Sequence, residues 1–358
     1  METPRVIINY KKMEKNFKEI YQKCKTKNIK IRPHYKAHKT PQIAKLQQEW
    51  GSSGITVSKV SEGENLVANG FKDILIAYPL IKSEQLERVL KMRYKADVTI
   101  IVDSFEGIKV AEKVCQKFDN SLKVLIKVNT GLNRCGIDSK EQGYKLAESV
   151  SRKKHLDFLG LISHAGHAYA AKNIDEIQEI AAKEVKKLML IKSYIEEREI
   201  FVKEISVGAT PTINFSVGLN GVTEVRPGNF IFYDNTQASL GVTTVDNCSL
   251  IVKSTVVSKV GDRAVIDAGS KTLGLDRGAH GNEAITGYGR IVEYPFLNII
   301  SLSEEHGVIK GDKLPKIGEE ISIIPNHSCV VMNLNKKVYL NTDEKLRKID
   351  NSGKLLNY

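Results

Sequence analysis

Disulfide frameworks, membrane spans and base-stacking platforms all find little to build on in this chain. Its 358 residues hold only five cysteines, an odd number without repeated spacing. That argues for reduced thiols in a cytoplasm. No run approaches the ~18 apolar residues of a membrane span, and Met1-Glu2-Thr3-Pro4 lacks the basic-then-apolar pattern of a signal peptide. Acidic residues number 42 against 54 Lys and Arg, a net charge of +12. The excess is mostly lysine spread along the chain, and the aromatics are not interleaved with it as nucleic-acid stacking would require. It reads as a lysine-rich surface with a preference for anionic small molecules. Repeats of ~20–50 residues and low-complexity segments are also missing.

What is present is an alternation of strand and helix patterns up to about residue 230. Strand-like runs occur at Ile29–Arg32, Ile55–Val57, Asp73–Ala77, Val98–Val102, Leu122–Val128, Phe158–Ser163, Glu204–Val207 and Val222–Arg226. Helical stretches with start signals lie between them. Asp103-Ser104-Phe105-Glu106 reads as a capping box, Ser83 leads into Leu86, Val89 and Leu90, and Ile174–Ile195 carries apolar residues at spacings of three and four. Eight strands, each followed by a helix or helical turn, predict an α/β fold with a (β/α)8 TIM-type barrel over residues 10–235. A doubly wound sheet fits the alternation almost as well. After Asp234 the pattern changes to short β-branched runs at Ile251–Val257, Ala264–Ile266, Arg290–Val292, Asn298–Leu302, Ile321–Ile324 and Val338–Leu340, punctuated by Gly261-Asp262, Gly311-Asp312 and Gly318. Residues 236–358 therefore form a C-terminal antiparallel β domain.

Motifs cluster where the barrel strands should end. Arg32-Pro33-His34-Tyr35-Lys36-Ala37-His38-Lys39 follows the first and stops at Thr40-Pro41, an N-cap followed by Pro at the first helical position. Lys36, crowded by His34, His38 and Lys39, should have its pKa lowered toward nucleophilic range. The bland alternative is a solvated basic turn. Arg134, in Asn129–Gly136, can donate a forked pair of hydrogen bonds. Ser163-His164-Ala165-Gly166-His167-Ala168-Tyr169 supplies two imidazoles and a phenol, with His167 a catalytic candidate. Ser206–Thr212 and Glu224–Asn229 look like a phosphate cradle of backbone amides. In the β domain, His327 and Cys329 fall on one side if the Ile321–Ile324 strand continues, as a two-ligand metal site needs. An imidazole and a thiolate suit zinc, while a packed structural pair is the plainer reading. Ser303-Glu304-Glu305-His306-Gly307 is either a source of supporting partners or an exposed turn.

Together these segments resemble the alanine racemase-like (fold type III) pyridoxal-phosphate enzymes, and more narrowly the D-serine dehydratase / D-threonine aldolase family. The matching segments are Arg32–Lys39, Asn129–Gly136, His164–Tyr169, Ser206–Thr212, Glu224–Asp234, Asp267–Ser270, Ser303–Gly307 and Pro325–Cys329, in family order over nearly the whole chain. The resemblance implies a cofactor-binding barrel, a homodimer with its active site at the subunit interface, and pairing of strand Arg5–Asn9 with the C-terminal domain, so residues 1–9 would join that domain. It implies that Lys36 holds pyridoxal 5'-phosphate covalently and that Arg134 lies near the cofactor's phenolic oxygen. Gly208, Thr210, Gly228 and Asn229 resemble phosphate-cradle positions, and Tyr169 and Tyr233 cofactor-pocket tyrosines. Arg226 resembles the residue facing the pyridine nitrogen in alanine racemase, a position where the lyases vary. His327 and Cys329 resemble the lyases' divalent-metal ligands, for zinc or for manganese or magnesium.

The implied reaction starts from a D-3-hydroxy amino acid, with the pyridine ring as electron sink and the metal as Lewis acid on the β-hydroxyl. Loss of the α-proton and hydroxide gives a 2-oxo acid and ammonia; cleavage of Cα–Cβ instead gives glycine and an aldehyde. Dehydratases of the family resemble this chain in their His-x-Cys, whereas the better-known aldolases carry His-x-Asp, so dehydration of D-serine or D-threonine is favoured. Racemization is disfavoured, because the tyrosine acid/base motif of alanine racemase has no match. A non-catalytic cofactor-binding barrel is disfavoured too, because such proteins lack a β domain.

Overall fold

The computed structural model describes residues 1–277, 285–342 and 345–350. A first strand, β1 (Arg5–Asn9), leads directly into a helix, Tyr10–Thr26, and the chain then alternates strand with helix. The parallel strands are β2 (Lys30–Ile31), β3 (Ile55–Val57), β4 (Asp73–Pro79), β5 (Asp97–Val102), β6 (Leu122–Lys127), β7 (Leu156–Ile162), β8 (Glu204–Val207) and β9 (Glu224–Val225). Strands such as Ile55–Val57 and Val98–Val102 are buried throughout, as parallel strands covered on both faces must be. Their order is β2-β9-β8-β7-β6-β5-β4-β3, and the two ends meet. His34 bridges to Thr56, and the Thr56 amide donates to the Pro33 carbonyl at 2.9 Å. The sheet is therefore a closed (β/α)8 barrel and not the doubly wound alternative.

The helices form as their periodicity dictates. Ile174–Glu196 buries Ile177, Ala181, Val185, Leu188, Ile191 and Ile195 on one stripe, and the Asn173 side chain caps it by accepting from the Glu176 amide. Ser104 caps Phe105–Lys117, but its partner is the Gly107 amide, and a glycine has no side chain to return the bond. The reciprocal capping box lies instead at Ser139 and Gln142.

The barrel interior is divided. Leu75, Ile101, Leu125 and Ile162, on β4 to β7, form a small apolar cluster. Across from it, β2, β9 and β8 point Arg32, Glu224, Ser206 and Arg226 inward, all buried. At the end away from the strand C-termini, Lys30, Asp97, Lys123, Asp157 and Glu204 surround a second cavity of about 230 Å³.

The second sheet is built from β10 (Leu250–Val260), β11 (Arg263–Ile266), β12 (Arg290–Ile291), β13 (Asn298–Leu302), β14 (Gly307–Lys310), β15 (Glu320–Ile324), β16 (Lys337–Asn341) and β17 (Leu346–Asp350). The long strand β10 pairs with both β11 and β15, which closes β10-β11-β14-β13-β12-β15 into an antiparallel barrel. β1 lies against β10 and, on its other edge, runs parallel to β16. Two strands escape the apolar pattern, β14 with a single central Val-Ile pair and β17 with charged residues at most positions. β15 does not continue to His327. Pro325 has no amide to donate, and a helix, Ser328–Leu334, starts with His327 as its N-cap. Its first turn is fixed by Asp234, which accepts from the Ser328 amide at 3.1 Å. No helix among the described residues is long and apolar enough to cross a membrane.

Candidate active site

The segment after β2 turns through a short 3-10 helix, Tyr35–Ala37, before the Pro41–Glu49 helix begins. His34 Nδ1 accepts from the Lys36 amide at 3.4 Å, and this turn presents the Lys36 side chain to a cleft of about 430 Å³ at the C-terminal mouth of the barrel. Solvent reaches Lys36 through the cleft, yet protein surrounds it. Burial lowers its pKa; Cys329 opposes that, and the cations Arg134 and Arg226 add to it. His34 is held neutral by burial and then by Lys36. The lowered pKa expected from the sequence is there, but its causes differ: burial comes first and the nearby cations are Arg134 and Arg226, while His38 turns to Gln47 and Lys39 to Asn333.

The same cleft is lined by Tyr169, Thr210, Arg226, Gly228, Asn229, His327 and Cys329. Gly208 and Arg134 line an inner recess of about 40 Å³ that shares Lys36, His34, His164 and Arg226 with it. Gly208 has φ of 115°, a conformation that favours glycine, and a Cβ there would meet only the Arg226 amide, at 3.5 Å. Asn229 donates to Asp234 at 2.5 Å while its own Oδ1 is buried without a partner among the described residues. Burial raises the Tyr169 phenol, which therefore stays protonated beside Thr210. Arg226 is fully enclosed. Burial pulls its pKa down to about 10, with Glu224 and Glu184 opposing. The loop that carries Arg134 is shaped by Asn129, whose Oδ1 accepts from the Gly131 and Asn133 amides at 3.2 and 3.0 Å.

Two candidates line neither the cleft nor its recess. His167 stands three residues further along the Gly166–Ala170 turn, beside Gly131, with Nδ1 buried and unpartnered among the described residues. Its place is taken by His164. The two-residue alternation from the inward Ile162 brings His164 to the same side, which is the signal that could have chosen it. His164 Nδ1 lies 3.0 Å from the Gly208 carbonyl; an oxygen that only accepts requires the proton on Nδ1 and leaves Nε2 with its lone pair free. Burial and then Lys36 keep this imidazole neutral. Tyr233, with φ of 50°, packs its ring into the core, and its carbonyl accepts from the Ser328 hydroxyl at 2.7 Å. It serves the cleft by anchoring the helix of Cys329.

Two buried groups were not singled out from the sequence. Lys127, in the inner recess, has its pKa pushed down to about 7 by burial and then by Arg226, with Cys135 and Glu184 opposing. Glu62 accepts from the Ser58 amide at 2.8 Å and stands 3.9 Å from Lys39 at the mouth.

His327 and Cys329 meet across the first turn of their helix rather than along a strand. Burial disfavours the imidazolium, but the hydrogen-bonded Cys329, Asp234 and Asp276 outweigh it and raise His327 to about 9. No set of three His, Cys, Asp or Glu suited to a metal stands together among the described residues. A cation held by this pair would stand in the cleft that Lys36 also lines. Glu304 and Glu305 lie outside the cleft, paired with Lys271 at 2.7 and 3.0 Å.

The model of the alanine racemase N-terminal domain matches residues 8–236, and the serine dehydratase domain model (D-ser_dehydrat) matches 249–341. The chain belongs to the alanine racemase N-terminal domain family. It is 28% identical to the D-threo-3-hydroxyaspartate dehydratase of Delftia sp. (strain HT23), over 92% of this chain and 91% of that one. It is 29% identical to the D-serine dehydratase of Dictyostelium discoideum, with 92% and 91% covered. It is 26% identical to the D-threonine aldolase of Arthrobacter sp., with 94% and 88% covered. Among solved structures, a cysteine-to-alanine mutant of a D-threo-3-hydroxyaspartate dehydratase in its metal-free form superposes with a TM-score of 0.91 at 25% identity, covering 98% of this chain and 97% of that one.

Proposed function

We propose that this chain is a pyridoxal-phosphate- and divalent-metal-dependent lyase of D-3-hydroxy amino acids that eliminates water and releases a 2-oxo acid and ammonia. The observation that carries the reading is the convergence of Lys36 with His327 and Cys329 on one cleft. The family is pyridoxal-phosphate-dependent, and the residues here fit that group. A lysine with lowered pKa stands at one end, and Gly208, Thr210, Gly228 and Asn229 offer small and polar groups for a phosphate. When bound, the cofactor supplies an electron sink at the substrate's Cα; a divalent cation on His327 and Cys329 supplies a Lewis acid for a β-oxygen, with zinc suited to this donor pair.

The protein's own groups then have defined tasks. Lys36, its pKa lowered by burial, would hold the cofactor through its side-chain amine. His164 offers a free Nε2 lone pair at the same wall. Arg226 would face the ring edge, and Arg134 lines the same inner recess. Tyr169 stays a donor. A named D-threonine aldolase among the relatives keeps Cα–Cβ cleavage as the second reading. Incubation with D-serine, D-threonine and 3-hydroxy-D-aspartate, scored for 2-oxo acid and for glycine, separates the two. Glycine as the main product from D-threonine would replace the dehydratase reading. Five unpaired cysteines support a reducing cytoplasm. The homodimer implied by the resemblance is checked by sedimentation.

A further inference from the structure

The inward face of β2, β9 and β8 carries a continuous chain of polar contacts from Asp73, at the second cavity, to the cleft, buried from Arg32 onward. Asp73 accepts both terminal nitrogens of Arg32, at 2.6 and 3.0 Å, and Arg32 Nε donates to Glu224 Oε2 at 2.7 Å. The other oxygen, Glu224 Oε1, accepts from Ser206 Oγ at 2.5 Å. Arg226 Nη1 donates to that same Ser206 Oγ, and Nη2 donates to the Ser163 carbonyl. Glu224, Ser206 and Arg226 are 3%, 0% and 5% exposed, so water does not compete for these bonds.

The polarity of this chain is fixed by its ends. A guanidinium only donates, so the Ser206 hydroxyl must accept from Arg226 and give its single proton to Glu224. Glu224 then has both oxygens engaged by donors, and burial's bias toward its acid is overcome by Arg32 and Ser206, which lower its pKa. Turning Arg226 away would leave the buried Ser206 hydroxyl oxygen and the Ser163 carbonyl without their donor. Arg226 meanwhile borders the cleft on which Lys36, His34 and His164 open.

We propose that Glu224, acting through Ser206, is a positioning residue that aims the Arg226 guanidinium at the floor of the cleft. The inference rests on the cleft being the cofactor site, with Arg226 at the ring edge. A guanidinium held there sets the local field on the bound cofactor from a network that never touches it. Ser206→Ala is the informative change because it leaves every charge in place and removes only the link.

The test is the pH titration of the bound cofactor's absorbance in the holoprotein, for wild type, Ser206→Ala and Arg226→Gln, with Ser206→Thr as the conservative rescue. The expected result is a midpoint displaced in Ser206→Ala in the same direction as in Arg226→Gln, by about one pH unit, and restored in Ser206→Thr. A Ser206→Ala midpoint at the wild-type value, with Arg226→Gln displaced, overturns the proposal; so does an undisplaced Arg226→Gln. Thermal melting of each cofactor-free variant establishes folding first. Should Ser206→Ala not fold, Ser206→Cys, which keeps the shape and every charge but replaces the hydroxyl with a weak donor and acceptor, is read by the same criterion. Wild-type protein that takes up no pyridoxal phosphate would defeat the reading of the cleft itself, a result distinct from any shift among variants.

Discussion

The Tyr35 hydroxyl donates to the Lys39 carbonyl at 2.7 Å, and the Lys39 amide donates back to the Tyr35 carbonyl at 2.8 Å. This closed turn fixes two lysines in different directions. Lys36 opens on the cleft, while Lys39, with φ of 52°, reaches Asn333 Oδ1 at 2.9 Å.

Lys36→Ala should therefore abolish the visible band that wild-type protein develops with pyridoxal phosphate, while Lys39→Ala keeps it. Borohydride reduction followed by peptide mass spectrometry should place the label on Lys36. A label on Lys39 or Lys271 would refute the assignment.

Metal removal should separate chemistry from cofactor binding. Exhaustive chelation, or Cys329→Ala, should lower turnover on the order of 100-fold or more, exceeding the usual cost of losing an outer partner of a metal. The cofactor band should persist, because the lysine and the metal pair lie on different elements. Zinc should restore the chelated wild type but not the variant. Cys329→Asp should shift preference toward manganese or magnesium, whose harder character suits a carboxylate. Activity that survives both chelation and His327→Ala would remove the metal from the mechanism.

Lys127 gives a pH-dependent stability whose sign follows from its lowered pKa. Between the folded value of about 7 and the ordinary 10.5, the unfolded chain holds a proton that the folded chain lacks. Stability therefore rises with pH across that window, and the penalty of a buried charge is fully present below it. Lys127→Met in cofactor-free protein should gain more over wild type at about pH 6 than at about pH 9, with a difference on the order of 2 kcal/mol. Urea melts at the two pH values measure it, and an equal gain at both would show Lys127 to be charged in the fold.

Two glycines should respond differently to alanine. At Gly160 a Cβ would lie 2.1 Å from the Glu204 carbonyl, where β7 and β8 approach, so Gly160→Ala should destabilise the barrel by about 3 kcal/mol or more. At Gly208 there is space but a left-handed backbone, so Gly208→Ala adds strain of about 1–2 kcal/mol without a clash. Its effect should appear as roughly tenfold weaker cofactor binding with a smaller loss of melting temperature. Equal losses of melting temperature in the two variants would contradict the distinction.

Local chemistry explains which parts of this arrangement are readable in the sequence. The turn around Lys36 is legible because a strand, an N-cap and Pro41 frame it within a dozen residues. Barrel closure is not, since it depends on His34 meeting Thr56, a pairing that no local pattern encodes. The choice of His167 over His164 fails because the strand's alternation stops and a 3-10 turn begins within four residues. His327 and Cys329 are visible as a pair, yet Pro325 ends the strand that was expected to align them, and a helical turn brings them together instead. Tyr233 is misread because its backbone conformation, set by tertiary packing, turns the ring inward. The Arg32–Glu224–Ser206–Arg226 chain joins strands far apart in sequence and escapes any single motif.

The placement of β1 has a consequence for synthesis. Val6 and Ile8 take their partners from Val252 and Leu250 on one edge and from Val338 and Leu340 on the other. A strand that precedes the whole barrel in the chain is thus satisfied only after it, with the entire barrel made while the apolar edges of β1 wait. Such long-range closure slows folding and exposes a strand edge in the interim. It also means that the two halves are not interchangeable modules. A separated C-terminal half would present β10 and β16 with the strand between them missing, and a separated barrel would carry β1 as a loose apolar arm. Each half is completed only by the other.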